Sequence, residues 1–206
     1  MRSSRDGTRA LPDRGWRPLL NRFRRDDRGA YAVEFGLLAL PFFGLLFAIV
    51  EVSWVSFNSE QLQAAVSRAS RQVMTGTAQQ NYSTPASFVS NLLCPTDGTR
   101  ILPNFMDCSK LIVDVRTAAE FTDAANVSSD FYAQSSLKYC LGKANTIVVL
   151  RVVYPMESIF PLSIYNRYIG LANNVPNAPG WKHVLLASAV FETEPYQGNY
   201  TPPPTC

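Results

Sequence analysis

One carboxylate stands where a carboxylate is costly. From Ala30 to Val50 the chain reads AYAVEFGLLALPFFGLLFAIV, and Glu34 is the one side chain in those 21 residues that is charged at neutral pH. A charge at the centre of a membrane-spanning helix costs about 2.5 to 3.5 kcal/mol on insertion scales, and less near an end, so Glu34 calls for a compensating group. Snorkelling to the nearby interface is one way to relieve it. The other is a specific cation, and cutting the chain between Gly29 and Ala30 would create one. Glu34 would become the fifth residue of the trimmed chain, within reach of the new Ala30 ammonium on its own helix or on a neighbouring subunit.

The cysteines are the second chemical group. Cys94, Cys108, Cys140 and Cys206 are separated by 14, 32 and 66 residues, which offers no close thiolate pair for a metal, so no metal and no cofactor are expected. An even number of cysteines beyond an apolar segment suits disulfides in an oxidising compartment. Four cysteines allow three pairings. The favoured one joins Cys94 to Cys108, closing a short loop whose chain-entropy contribution is about 3 kcal/mol, and leaves Cys140 for Cys206. Catalysis finds little material. His183 is the one histidine and falls in a run that reads as a strand, where a surface or sheet role fits better than a base. No Gly-rich phosphate loop, H-E-x-x-H or G-x-S-x-G is present, so the chain is not expected to be an enzyme.

The elements that must position these residues begin with charge. Of 206 residues, 47% are hydrophobic and 17% charged, and the net charge is +3. Nine Arg and four Asp give residues 1–28 a charge of +5, leaving −2 for the rest. Basic character confined to one end excludes a nucleic-acid-binding face. A basic head before an apolar run points to a membrane, and the run is about 31 Å long as a helix, close to the hydrocarbon thickness of a bilayer. Arg22, Arg24, Arg25 and Arg28 place the N-terminus in the cytoplasm and the rest outside, with Trp54 and Phe57 positioned for the outer aromatic belt.

Past the span, Val55, Leu62, Val66, Ala69 and Val73 recur with helical spacing, and Gly76 offers a stop with Arg68 and Arg71 near the negative end of the helix dipole. One helix from about residue 30 to 75 is expected, bent near residues 37–41 by Pro41. Its apolar stripe is expected to pack on the chain's own outer domain. Thr84-Pro85 reads as the opening of a short helix through Leu93. Lys110 to Thr117, Thr146 to Tyr154 and Lys182 to Glu192 read as strands of a small antiparallel sheet, with Ile112, Asp114 and Arg116 on one side of the first and Leu111, Val113 and Val115 on the other. The connections 118–143 and 155–181 are long enough to hold short helices, such as Ser158 to Ile169. The fold class is α+β: a basic leader at 1–29, a transmembrane helix at 30–52, an amphipathic extension at 53–76 and an outer domain at 77–206.

The run Gly29-Ala30-Tyr31-Ala32-Val33-Glu34-Phe35 before apolar residues resembles the processing site of type IV pilins. Together with Pro41, the downstream helix and the late segment Ala187 to Tyr196, it is similar to the TadE-like pseudopilins of the tight-adherence (Tad) pilus system over residues 28–76 and 182–196. The resemblance implies a prepilin peptidase cutting after Gly29, a place in the bacterial inner membrane with the outer domain periplasmic, incorporation in the extracellular pilus, and partners among other pilins, pseudopilins and the assembly platform as well as the lipid bilayer. Glu34, Phe35 and Pro41 would set helix register in assembly. The Tyr that accompanies the glutamate in the major pilins of that system is replaced by Phe35, and the outer part is longer than theirs, which favours a minor component. Two other readings stand beside this one. A single-pass membrane protein with a ligand-binding or sensor domain would keep Met1, and an exported enzyme would begin beyond residue 50.

Overall fold

The computed structural model describes residues 28–100, 102–125, 137–159, 172–175, 178–196, 200 and 206. The chain divides into two units, one ending at Ala48 and the other beginning at Ile49. The first is helical throughout its described part. Helix α1 runs from Arg28 to Met74, with Pro41 inside it. Up to Val50 nearly every described side chain is exposed, among them Phe35, Leu37, Leu40 and Phe43. A run of apolar side chains left open to the outside is the pattern of a helix meant for lipid, and α1 is long and apolar enough to cross a membrane.

In the second unit the rest of α1 packs on a sheet. Leu62, Val66, Ala69 and Val73 are buried at spacings of four, three and four, Ala65 is buried beside them, and Val55 packs partly against the same core. The expected stripe is thus buried within the chain's own domain, where each large aliphatic side chain contributes about 1.5 to 3 kcal/mol. Asn58 is buried inside this helix and stays satisfied because its Nδ2 donates to the Trp54 carbonyl at 2.7 Å. The helix stops for two physical reasons. Gly76 takes φ 79°, a left-handed conformation, and its lack of a Cβ leaves room for the Tyr196 ring, whose Cγ would lie 2.3 Å from such an atom.

Two short helices follow, α2 (Thr77–Asn81) and α3 (Pro85–Phe88), the latter continuing into a wider π-type turn over Val89–Leu93. The opening of α3 is as expected. The Thr84 hydroxyl accepts from the Ser87 N–H at 3.1 Å, and the Ser87 hydroxyl accepts from the Thr84 N–H at 3.1 Å, with Pro85 at the first helical position. Phe88, Leu92 and Leu93 join the core.

The sheet has four antiparallel strands in the order β1-β2-β4-β3: β1 (Ile112–Ala118), β2 (Ile147–Glu157), β3 (Ala172–Val175) and β4 (Ala178–Glu192). Three match the expected runs. The fourth, β3, is an addition, paired along the start of β4, which begins four residues earlier than its sequence suggested. β2 also runs further, through Pro155 to Glu157. Its pairing with β1 ends at Val153↔Ile112, so Pro155 lies where one side of β2 has no neighbour and no ladder donor is missed. Helix α4 (Phe121–Ala125) occupies part of the long connection after β1. Residues 160–169 of the expected helix Ser158–Ile169 lie outside the described residues.

Val113, Val115, Val148, Leu150, Val152, Leu185 and Ala187 face the core shared with α1. The other side of β1 is not simply polar and wet. Asp114 is 1% exposed, accepts from Arg116 Nε at 2.9 Å and from the Lys138 N–H at 2.9 Å, and pairs with Arg151, its register partner on β2. Burial lowers the Arg151 pKa, a shift opposed by its hydrogen bond with Asp114. The disulfides are Cys94–Cys108 and Cys140–Cys206, the favoured pairing, with Cα separations of 6.4 and 5.6 Å.

Candidate assembly site on the N-terminal helix

Gly29, Ala30, Glu34, Phe35 and Pro41 all fall on α1, within its first four turns. Ala30 and Glu34 are four residues apart, which puts them one above the other on the same helical face. A chain beginning at Ala30 would carry its ammonium at the start of that face, one turn from the carboxylate. Glu34, Phe35 and Leu38 are exposed, so the face is open to a neighbouring helix. Pro41 does not break α1, but it supplies no N–H to the Leu37 carbonyl, so the usual bond between these two residues is missing inside an apolar stretch. Residues 1–27, most of the expected leader, lie outside the described residues.

The late segment that accompanies this helix in the resemblance is tied to the end of α1. After β4, the Glu194 N–H donates to the Met74 carbonyl at 2.9 Å, capping one of the helix's unpaired acceptors. The Thr193 hydroxyl accepts from the Thr146 N–H at 2.9 Å, and the Tyr196 hydroxyl donates to the Gly142 carbonyl at 3.1 Å. Gln79, buried below, donates to the carbonyls of Val73 and Leu141 at 3.0 and 2.9 Å. Ala187 to Tyr196 therefore fastens the C-terminal end of α1 to the sheet.

A second acid on α1 escaped the sequence reading. Glu51 follows the apolar run directly, yet it is 6% exposed. Its Oε1 lies 3.0 Å from His183 Nε2, and its Oε2 accepts from the Ile159 N–H at 3.2 Å. His183 sits on β4 opposite Met156. A sheet position was expected, but the contact with α1 was not. The signal was available in strand parity, because His183 is in phase with Leu185, Ala187 and Ala189, the residues that face α1. Glu51 thus acts inside the domain, locking the start of the packed half of α1 to β4 and to the chain just past β2. Among the described residues no group of His, Cys, Asp and Glu side chains gathers as a metal site.

No curated protein and no solved structure matches the chain. The family model described as TadE-like protein matches residues 29–71, from the glycine of the expected cut to the last turn of α1. The late segment 182–196 lies outside that match. Residues 29–71 are therefore similar to TadE-like proteins, and the similarity covers 43 of the 206 residues.

Proposed function

We propose that the protein is a minor pseudopilin of a Tad-type pilus, made as a precursor in the inner membrane with its outer domain periplasmic and trimmed by a prepilin peptidase after Gly29. The observation that carries the proposal is the coincidence of the matched segment with α1 from Gly29 onward, Glu34 included. The protein acts by binding, not by catalysis. Trimming removes the arginine-rich leader and creates the Ala30 ammonium. Glu34 pairs with that ammonium, on its own helix or on the next subunit, and so fixes the register between helices. The exposed apolar side chains from Phe35 to Val50 then pack on the helices of other pilins and of the assembly platform. Two disulfides and the Glu51–His183 contact keep the outer domain folded as α1 changes surroundings.

Replacing Glu34 by Gln tests the pairing, because Gln keeps the shape and removes the charge. Recovery of the protein in sheared pili or in the cross-linked assembly complex is measured beside leader removal. The expected result is normal or near-normal trimming with incorporation reduced by about tenfold, the size of a weakened charge-assisted contact. Unchanged incorporation would remove Glu34 from the mechanism.

A further inference from the structure

Three aromatic rings from two distant parts of the chain meet on the surface of the second unit. Trp54 and Phe57, one turn apart on α1, have ring centroids 6.1 Å apart. Phe105 joins them from the loop closed by Cys94–Cys108, at 5.4 Å from Trp54 and 6.4 Å from Phe57. Trp54 packs partly against the core and anchors the cluster, while the other two rings stay open. Phe57 is 47% and Phe105 51% exposed. Phe105 is nevertheless firmly placed, since Leu102 and Met106 on either side of it are buried and the Met106 N–H donates to the Pro103 carbonyl at 3.0 Å. The loop anchors its neighbours inward and presents the ring outward.

The surroundings say what the cluster is for. Trp54 and Phe57 lie four and seven residues after Val50, or about 6 and 10 Å along the helix, a level that corresponds to the interfacial zone of a bilayer. Ile49, Val50 and Val52, just before them, are exposed and apolar. The only charge on this stretch of α1, Glu51, is turned inward to His183, and the next on the helix is Glu60. Leu102 to Met106 carries no charge either. An uncharged aromatic surface at this level matches the headgroup boundary, where such rings are favoured. We propose that Trp54, Phe57 and Phe105 form a membrane-interface seat, by which the disulfide loop rests on the outer leaflet. The proposal rests on α1 spanning the bilayer.

The test uses the full, oxidised chain in phosphatidylcholine vesicles, with Trp16→Phe, Trp54→Phe and Trp181→Phe to clear the background. One variant adds Phe105→Trp, a control adds Phe43→Trp in the middle of the span, and a third adds Phe57→Trp as a second reporter should the loop variant fail to form its disulfide. Lipids brominated near the headgroup or near the chain ends quench the single indole according to its depth. The indole at position 105 is expected to be blue-shifted and quenched about twofold more by the shallow bromines than by the deep ones, with the opposite order at position 43. Quenching at 43 without quenching at 105 and 57 overturns the seat and leaves the span standing. No quenching at any position overturns the span, and the seat with it. Shielding at 105 that grows with the protein-to-lipid ratio assigns the rings to a second copy of the chain and also overturns the proposal.

Discussion

Glu51 is the acid whose removal the structure prices most directly. Replacing it by Ala keeps a good helix former at the position, so the backbone of α1 is not penalised. Two interactions disappear: the contact with His183 Nε2 at 3.0 Å and the acceptor for the Ile159 N–H at 3.2 Å. A hydrogen bond to a charged group contributes about 1.5 to 3 kcal/mol, and a partly buried N–H left without a partner costs about 1 to 3 kcal/mol. The loss for Glu51→Ala is therefore about 3 kcal/mol. His183→Ala keeps the Ile159 bond and costs about 2 kcal/mol, mainly the same contact. Because the two substitutions remove one shared interaction, the double variant falls short of their sum by about 1.5 kcal/mol. Urea unfolding of the full chain in detergent micelles, followed by circular dichroism at neutral pH, measures all three. Additivity within about 0.5 kcal/mol would refute the reasoning, because it would mean that the two side chains do not sense each other in solution.

Other outcomes follow from the same geometry. Asp114→Ala leaves the Arg151 and Arg116 guanidiniums facing a buried gap and should cost about 3 to 5 kcal/mol in the same unfolding assay; a loss below about 1 kcal/mol would show that water replaces the carboxylate. Gly76→Ala forces a side chain into a left-handed position at φ 79° and into the Tyr196 ring, so the loss should exceed the roughly 1 to 2 kcal/mol of the backbone term alone, whereas a neutral result would contradict the close approach. Burial raises the phenol pKa of Tyr139, Tyr196 and Tyr200. The unfolded chain then releases these protons first, so the stabilisation is fully present below about pH 10 and is lost as pH rises from there through the higher folded-state values. Thermal melts of wild type and Tyr139→Phe between neutral and alkaline pH should show a smaller alkaline decline for the variant, and parallel declines would contradict it.

The parts of the fold that the sequence displayed were those in which one local rule was sufficient. Apolar spacing set the buried face of α1, Gly76 its end, and Thr84-Pro85 the start of α3, because periodicity, positive φ and capping act within a few residues. The disulfides were legible because only three pairings existed and one of them closed a short loop. Strand β3 was not legible: Ala-Asn-Asn-Val has no β-branched run, and its order comes from pairing with β4. β4 runs through Pro179 and Gly180, residues that usually interrupt strands, at the edge it shares with β3. Alternation placed Asp114 on the side of β1 away from Val113 and Val115, but a local pattern cannot show a register partner such as Arg151 arriving from another strand. The same limit hid Glu51 with His183 and Phe105 with Trp54, pairs separated by 132 and 51 residues. Glu34 stood out because it is costly in its own local surroundings, and that cost needs no tertiary partner to be seen.

The claim on which the account depends is that a new positive terminus is made one turn before Glu34. Intact-mass and N-terminal peptide measurement on the protein purified from membranes of cells with an active prepilin peptidase tests it most directly. The expected chain begins at Ala30 and lacks all nine arginines of residues 1–28. A chain that still begins at Met1, or one that begins beyond residue 50 without the helix, would contradict it.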